Sequence, residues 1–444
     1  MSAVRRLRNS WILWVTTIVL VCFSNAFAQA SYKVTDLGVL HSDNNLGCAM
    51  SVNDEGWTFI MSGTLPPGEQ DSQLGTLLNG RGVLGINGFK FDLGTLGGEN
   101  TWMNWGQIND FGQIVGYSET NVPDPNGEDV CGFGTHLTCS PFIWQVFHMS
   151  ALRTLGGNNG QASGINLSGQ IAGFAENGDV DSTCPPGTTN NRIDLGAFWE
   201  NGNPNTNPKA LSPLSGDPDS IAFGINDQGQ VVGYSGTCTL ANHAVVWENS
   251  TPTPLPDLGV EGLSLAWAIN DQGQMVGEVL RPDGATDYAV LWQNPHEITS
   301  LNTLPGDFGS LASGISPNGQ IVVGSTWDSN LNWSHAFIYQ NGTMTDLNTL
   351  LPASSNLFAT MANKINARGQ ISGMATVLTG PDAGNIHAFL ATPVHQSIGR
   401  SMADAARTHP RTTLPANVGN QLLRRFGPGQ FMRKADPTTL PLQP

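Results

Sequence analysis

Short apolar runs of four or five residues recur along the chain from about residue 46 to residue 391, and polar, glycine-containing turns separate them. Runs such as Ile221-Ala222-Phe223-Gly224-Ile225 and Val231-Val232-Gly233-Tyr234 are too short for helices. Their richness in β-branched and aromatic residues predicts strands. Between the runs of a pair lies one recurring string: hydrophobic-Asn-x-x-Gly-Gln-hydrophobic-hydrophobic-Gly. Its Asn stands at Asn53, Asn109, Asn166, Asn226, Asn270 and Asn366, with Ser316 in the sixth copy, at spacings of 44 to 60 residues. Asn caps a turn with its side chain, and the Gly after two intervening residues supplies the positive φ of a bulged hairpin loop.

A second hairpin follows in each copy. Its first strand reads Ala197-Phe198-Trp199, Ala244-Val245-Val246-Trp247, Ala289-Val290-Leu291-Trp292 or Ala336-Phe337-Ile338-Tyr339. Its second strand ends in strings such as Asp92-Leu93-Gly94-Thr95-Leu96-Gly97-Gly98, and Asn201-Gly202 and Asn341-Gly342 mark the turn between the two. Four short strands per unit, repeated seven times, predict an all-β, seven-bladed β-propeller with four strands per blade. Ala49, Ala162, Ala222, Ala266, Ala312 and Ala362 stand three residues before the turn hydrophobe, with Trp105 in the second copy. Small residues at that place suit an innermost strand. The last copy stops after His387-Ala388-Phe389-Leu390, and the stretch Tyr32–Gly38 reads as an outer strand without a blade. N-terminal outer strand and C-terminal blade are expected to pair and close the ring.

The His-Ala-Phe triplets at 335–337 and 387–389, with the Asn-Asp-x-Gly-Gln and Asp-Leu-Gly-Thr-Leu-Gly-Gly strings, resemble the extracellular HAF-repeat family of bacterial proteins across roughly residues 32–394. The resemblance implies secretion and repeat architecture; it brings no catalytic residues or cofactor. In the first copies the triplet is degenerate or missing, and long insertions separate the second and third strands.

Residues 1–28 are expected to be a signal peptide, with Arg5, Arg6 and Arg8 before an apolar run Trp11–Phe23 and a small-x-small site at Ala26-Phe27-Ala28. Residues 29–394 form the propeller of seven HAF-like repeats. Residues 395–444 form a basic tail rich in Pro, Thr and Arg, read as solvated, with contact to an acidic surface, including the propeller, as the alternative. The whole chain carries −16; the signal carries +3 and the tail +5, which leaves −24 for the body. Such a body excludes nucleic acid as a partner. Signal cleavage leaves no transmembrane domain, and places the protein as secreted, periplasmic or cell-surface.

The insertions at about 61–77, 118–141 and 175–195 fall between second and third strands of neighbouring blades and should gather on one face, where ligand-binding residues are expected. They carry Glu69, Asp71, Glu119 and the candidate ligand-face acids Asp124, Glu128, Asp129, Glu176, Asp179 and Asp181. The acids admit three readings: paired carboxylates for glycosidic chemistry, calcium ligands at Asp124, Asn126 and Asp129, or solvated loop acids, the default. Calcium is the one cofactor suggested. Five cysteines follow the signal; Cys131–Cys139 and Cys184–Cys238 are expected disulfides, leaving Cys48 free. Asp54, Asp110, Asp227 and Asp271 alternate with Leu167, Pro317 and Ala367 at one turn position, which predicts a turn role. His243, His335 and His387 begin equivalent strands of different blades, which predicts structural hydrogen bonds. No Ser-His-Asp set, P-loop or His-Glu-x-x-His string occurs.

These features favour a non-catalytic secreted scaffold presenting its loop-rich face to an extracellular ligand, glycan or protein. The alternative is an extracellular carbohydrate-active hydrolase or lyase using carboxylates at the channel mouth.

Overall fold

The structure is a computed structural model that describes residues 31–64, 78–102, 106–238, 240–259, 262–330 and 332–394. The expected signal peptide, the tail, residues 65–77 of the first insertion and Trp105 lie outside the described residues. Among the described residues the chain is all-β, with 28 strands, one short 3-10 turn at Leu347–Leu350 and no α-helix.

After β1 (Ser31–Gly38) the strands fall into consecutive sets of four. The first set is β2 (Leu46–Val52), β3 (Thr58–Thr64), β4 (Leu78–Ile86) and β5 (Phe89–Asp92). Next come β6 (Gly97–Trp102), β7 (Ile114–Pro123), β8 (Leu137–Gln145) and β9 (His148–Ala151), then β10 (Gly160–Ile165), β11 (Ile171–Val180), β12 (Arg192–Trp199) and β13 (Lys209–Leu211). The fourth set is β14 (Asp219–Ile225), β15 (Val231–Thr237), β16 (Leu240–Glu248) and β17 (Thr251–Pro254). The fifth is β18 (Ser264–Ile269), β19 (Met275–Leu280), β20 (Asp287–Asn294) and β21 (Glu297–Asn302). The sixth is β22 (Gly309–Ile315), β23 (Ile321–Trp327), β24 (Trp333–Gln340) and β25 (Thr343–Asp346), and β26 (Leu357–Ile365), β27 (Ile371–Val377) and β28 (Ile386–Val394) end the series.

Units two to six are separate antiparallel four-stranded sheets in sequence order. The last three strands gain their fourth from the other end of the chain. β1 pairs antiparallel with β28 over Ser31↔Val394 to Gly38↔Ala388, as the complementary ends predicted. A single parallel pair, Leu46↔Ile386, joins that set to unit one.

Six of the inner strands carry a β-bulge immediately after the repeated Ala, seen as register shifts at Ala49/Ser51, Ala162/Gly164, Ala222/Gly224, Ala266/Ala268, Ala312/Gly314 and Ala362/Lys364. All six alanines are fully buried. The bulge explains the last Gly of the repeat string. A Cβ on Gly277 would stand 1.9 Å from the Leu265 carbonyl oxygen, and one on Gly233 would stand 1.9 Å from that of Ile221. The bulge thus brings the inner backbone so near its partner strand that no side chain fits between them. The residues inside the bulges are buried and reach the neighbouring inner strand. Phe223 and Trp267 rings lie 4.2 Å apart, the Ser313 hydroxyl donates to the Ala362 carbonyl, and Asn363 Nδ2 donates to the Ala49 carbonyl.

Candidate functional site

Two faces concentrate polar groups from several units. The first is built from the repeated hairpin turns. Gly56, Gly112, Gly169, Gly229, Gly273, Gly319 and Gly369 all have φ between +67° and +78°, as the turn requires. Asn226 Oδ1 accepts from the Gln230 amide at 2.9 Å, which caps its own turn, while its Nδ2 donates at 3.1 Å to the backbone carbonyl of Asn270 in the next unit. The same outward donation runs from Asn53 to Asn109, Asn109 to Asn166, Asn166 to Asn226, Asn270 to Ser316 and Asn366 to Asn53.

The turn aspartates follow the same direction. Asp110 Oδ1 accepts from the amide of Asp54, Asp227 from Leu167, Asp271 from Asp227, and Asp54 from Ala367. Where Leu167 and Ala367 replace the acid, the backbone donor survives and only the carboxylate is lost. The expected turn role is therefore too local: these acids tie one turn to the next unit. An open depression of about 260 Å³ lies here, lined by turn residues of all seven copies, Asn53 and Asn366 among them.

The second face holds the insertions. Two of them are long hairpins, β7–β8 and β11–β12, and they lie side by side as predicted. The Asp129 amide donates to Asn190 Oδ1 at 2.9 Å, the Asn191 amide to Glu128 Oε1 at 3.1 Å, and Arg192 Nη2 to Asn126 Oδ1 at 2.9 Å. The second hairpin is fastened to unit four by the Cys184–Cys238 disulfide, and Cys131–Cys139 closes the first hairpin's loop. Cys48 is free and buried, and burial pushes its thiol up to about 12. Both disulfides and the free cysteine are those expected.

The default reading of the acids as solvated requires correction. Glu128, Glu176, Asp181 and Asp124 are buried, Asp129 is half-buried, and only Asp179 is exposed. Asp124 Oδ1 accepts from the Asn126 and Glu128 amides, and its Oδ2 accepts from Asn159 Nδ2. Glu176 accepts from the amides of Asn158 and Asn159 and from Asn159 Nδ2, while Asn159 Oδ1 takes the Cys139 amide of the preceding unit. Glu119 and Asn100 repeat this device one unit earlier, with Asn100 Oδ1 accepting from the Gly80 amide. An Asn–Glu pair thus clamps adjacent units, with Glu119 on β7 and Glu176 on β11 both buried. Burial, and then the charges of Asp194 and Glu128, raise the Glu176 carboxyl to about 7.

For the calcium reading, the Asn126 carbonyl oxygen faces the Arg192 guanidinium, and one Asp129 oxygen takes the Gly134 amide. Among the described residues, the group of His, Cys, Asp and Glu with ligand atoms within 4.8 Å of one another is Asp181, Cys184 and Cys238, and its two sulfurs are joined to each other.

The predicted histidine hydrogen bonds are present at two positions. His335 Nδ1 lies 2.8 Å from Asp307 Oδ2, and His387 Nδ1 lies 3.0 Å from Asp36. Sequence reasoning missed one buried pair. Glu278 accepts from the Trp267 indole, and its other oxygen and Asp287 Oδ1 have no hydrogen-bond partner among the described residues. Burial and mutual repulsion push Glu278 well above the ordinary carboxylate range. A signal was present: Glu278 occupies the place held by Tyr117, Phe174, Tyr234 and Met374 in other copies.

No family model and no curated protein matches the chain. Among solved structures it is similar to YCF48 bound to D1 peptide (12% identity, TM-score 0.45, covering 85% of this chain and 99% of that one). It is also similar to TolB from Acinetobacter baumannii (12% identity, TM-score 0.37, 71% and 60%). A third is the Pyrococcus horikoshii acylaminoacyl peptidase (11% identity, TM-score 0.42), of which the chain covers 52% while 82% of this chain is matched.

Proposed function

We propose that this chain is an exported HAF-like repeat protein whose seven units close into a seven-bladed β-propeller, sealed by β1 on β28. We propose further that it is a non-catalytic scaffold presenting the insertion face to an extracellular glycan or protein. The observation that carries the functional reading is the burial of the insertion acids. Their oxygens accept hydrogen bonds that fasten one hairpin to the next, so the face is a stiffened surface rather than a cleft with free carboxylates. Closure is supported by the single depression touched by all seven turns and by the bond from Asn366 to Asn53. Export is supported by two disulfides, which persist in oxidising compartments. No helix among the described residues is long and apolar enough to cross a membrane.

One observation favours the enzymatic alternative: Glu176, raised to about 7, sits near the acids Asp194 and Glu128, an arrangement that suits a general acid. Screening the purified full chain on glycan and peptide arrays, with parallel assays of polysaccharide cleavage, tests both readings. Saturable binding without turnover is expected. Turnover abolished by Glu176→Gln would replace the scaffold reading with the enzyme.

A further inference from the structure

The turn face carries an apolar patch that the repeat does not require. Phe89, Phe111, Val146 and Phe147 are 70%, 73%, 88% and 77% exposed, and Phe91 is 40% exposed with its ring 6.4 Å from that of Phe147. Two contacts gather these residues. Trp57 of unit one lies against Gly112, next to Phe111, and Gln113 Nε2 donates to Gln145 Oε1 at the hairpin that bears Val146 and Phe147.

The backbone shows that this display opposes local preference. Val146 and Phe147 have φ of +50° and +59°, in a two-residue turn where other units place Asn87-Gly88, Asn249-Ser250 or Asn341-Gly342. A β-branched residue and an aromatic in the left-handed region cost about 1–2 kcal/mol each. Unit two therefore holds two apolar side chains in water at the expense of its own turn.

The chain leaves the described structure on the same face. Gln370 Nε2 donates to Thr392 Oγ1, Pro393 lies beside Gly369, and Gln370 lies beside Gly56 of unit one. Beyond Val394 the sequence is basic and interleaves Leu422, Leu423, Phe426, Phe431 and Met432 with Arg424, Arg425, Arg433 and Lys434. The rim of the patch is acidic, with Asp54, Glu55 and Asp110 in the turns beside it. A random coil of the 28 residues that separate 394 from 422 has a root-mean-square end-to-end distance of about 30 Å.

We propose that residues 419–434 of the same chain cover this patch, their apolar side chains on Phe89, Phe91, Phe111, Val146 and Phe147 and their arginines over Asp54, Glu55 and Asp110. The turn face is then closed by the chain itself, and a competing ligand of the same chemistry would have to displace the tail.

The test uses the full chain and the double variant Val146→Asn with Phe147→Gly, which restores the turn found in other units and so preserves the fold. The rate of tryptic cleavage at Arg424 and Arg425 is followed by mass spectrometry. Cleavage at least tenfold faster in the variant, and faster in the wild type at about 1 M salt, is expected. Equal rates in wild type and variant overturn the proposal. Protection that vanishes on hundredfold dilution also overturns it, in favour of a second copy as the occupant. So does a patch that sediments with anionic vesicles while the tail is cleaved freely.

Discussion

Replacing Asn366 tests one hydrogen bond that joins the last repeat turn to the first. Asn366 is buried; its Oδ1 accepts from the amides of Arg368 and Gln370 at 3.0 and 2.9 Å, and its Nδ2 donates to the Asn53 carbonyl at 2.8 Å across 313 residues of chain. Asn366→Ala removes these bonds, each worth about 0.5–1.5 kcal/mol net, so a loss of about 2–4 kcal/mol is expected. Asn366→Asp keeps the two acceptor bonds but aims a carboxylate at the Asn53 carbonyl. It should cost at least as much near neutral pH and recover on acidification, when the protonated acid can donate. Asn226→Ala is the control, because its bonds have the same chemistry but reach only the adjacent repeat in sequence, at Asn270. Urea unfolding followed by tryptophan fluorescence reads all three. Equal losses for Asn366→Ala and Asn226→Ala are expected. A loss below about 0.5 kcal/mol at Asn366 beside a full loss at Asn226 would refute closure through this bond.

Three further expectations concern packing, cross-links and pH. Gly277→Ala must separate two paired strands, because its Cβ would lie 1.9 Å from the Leu265 carbonyl oxygen, and should lower stability by about 3 kcal/mol or more. Gly88→Ala, with nothing within 4 Å and φ +86°, should cost about 1 kcal/mol in the same unfolding assay. Removing Cys184–Cys238, with a sequence separation of 54, should destabilise by about 4 kcal/mol, against about 2.5 kcal/mol for Cys131–Cys139, with a separation of 8. Peptide mapping of the native protein should find both bridges and no alkylation of buried Cys48. Glu176 has a folded pKa raised to about 7, above its unfolded value, so the stability it contributes is complete below about 4.5 and is lost as pH rises through 7. Glu176→Gln should flatten the stability difference between pH 5 and pH 8; an unchanged difference would show that the carboxyl ionises freely.

The strands, their grouping in fours and the pairing of β1 with β28 were legible in the sequence because each is written locally. Short apolar runs, an Asn–Gly turn and a small inner residue are consequences of backbone geometry that recur from copy to copy. The cysteine pairs were legible for a related reason: repeat register placed Cys184 and Cys238 in corresponding connections of adjacent units. Charge at Glu278, in a position that other copies fill with an aromatic residue, Met or Ser, is a departure readable in the sequence.

Burial of the insertion acids was decided only in three dimensions. Asp124, Glu128 and Glu176 look like loop acids until β7 and β11 extend and bring Asn126, Asn159 and Asn191 within hydrogen-bond distance, over separations of up to 63 residues. The turn aspartates carry the same lesson. Their carboxylates accept from the preceding unit's backbone, a partner 44 to 60 residues away along the chain, or 313 for Asp54 and Ala367. Sequence determined which backbone segments become strands and turns, because those preferences act within a few residues. Tertiary structure alone decided which polar groups meet, because hydrogen bonds depend on distances between units that no local pattern encodes.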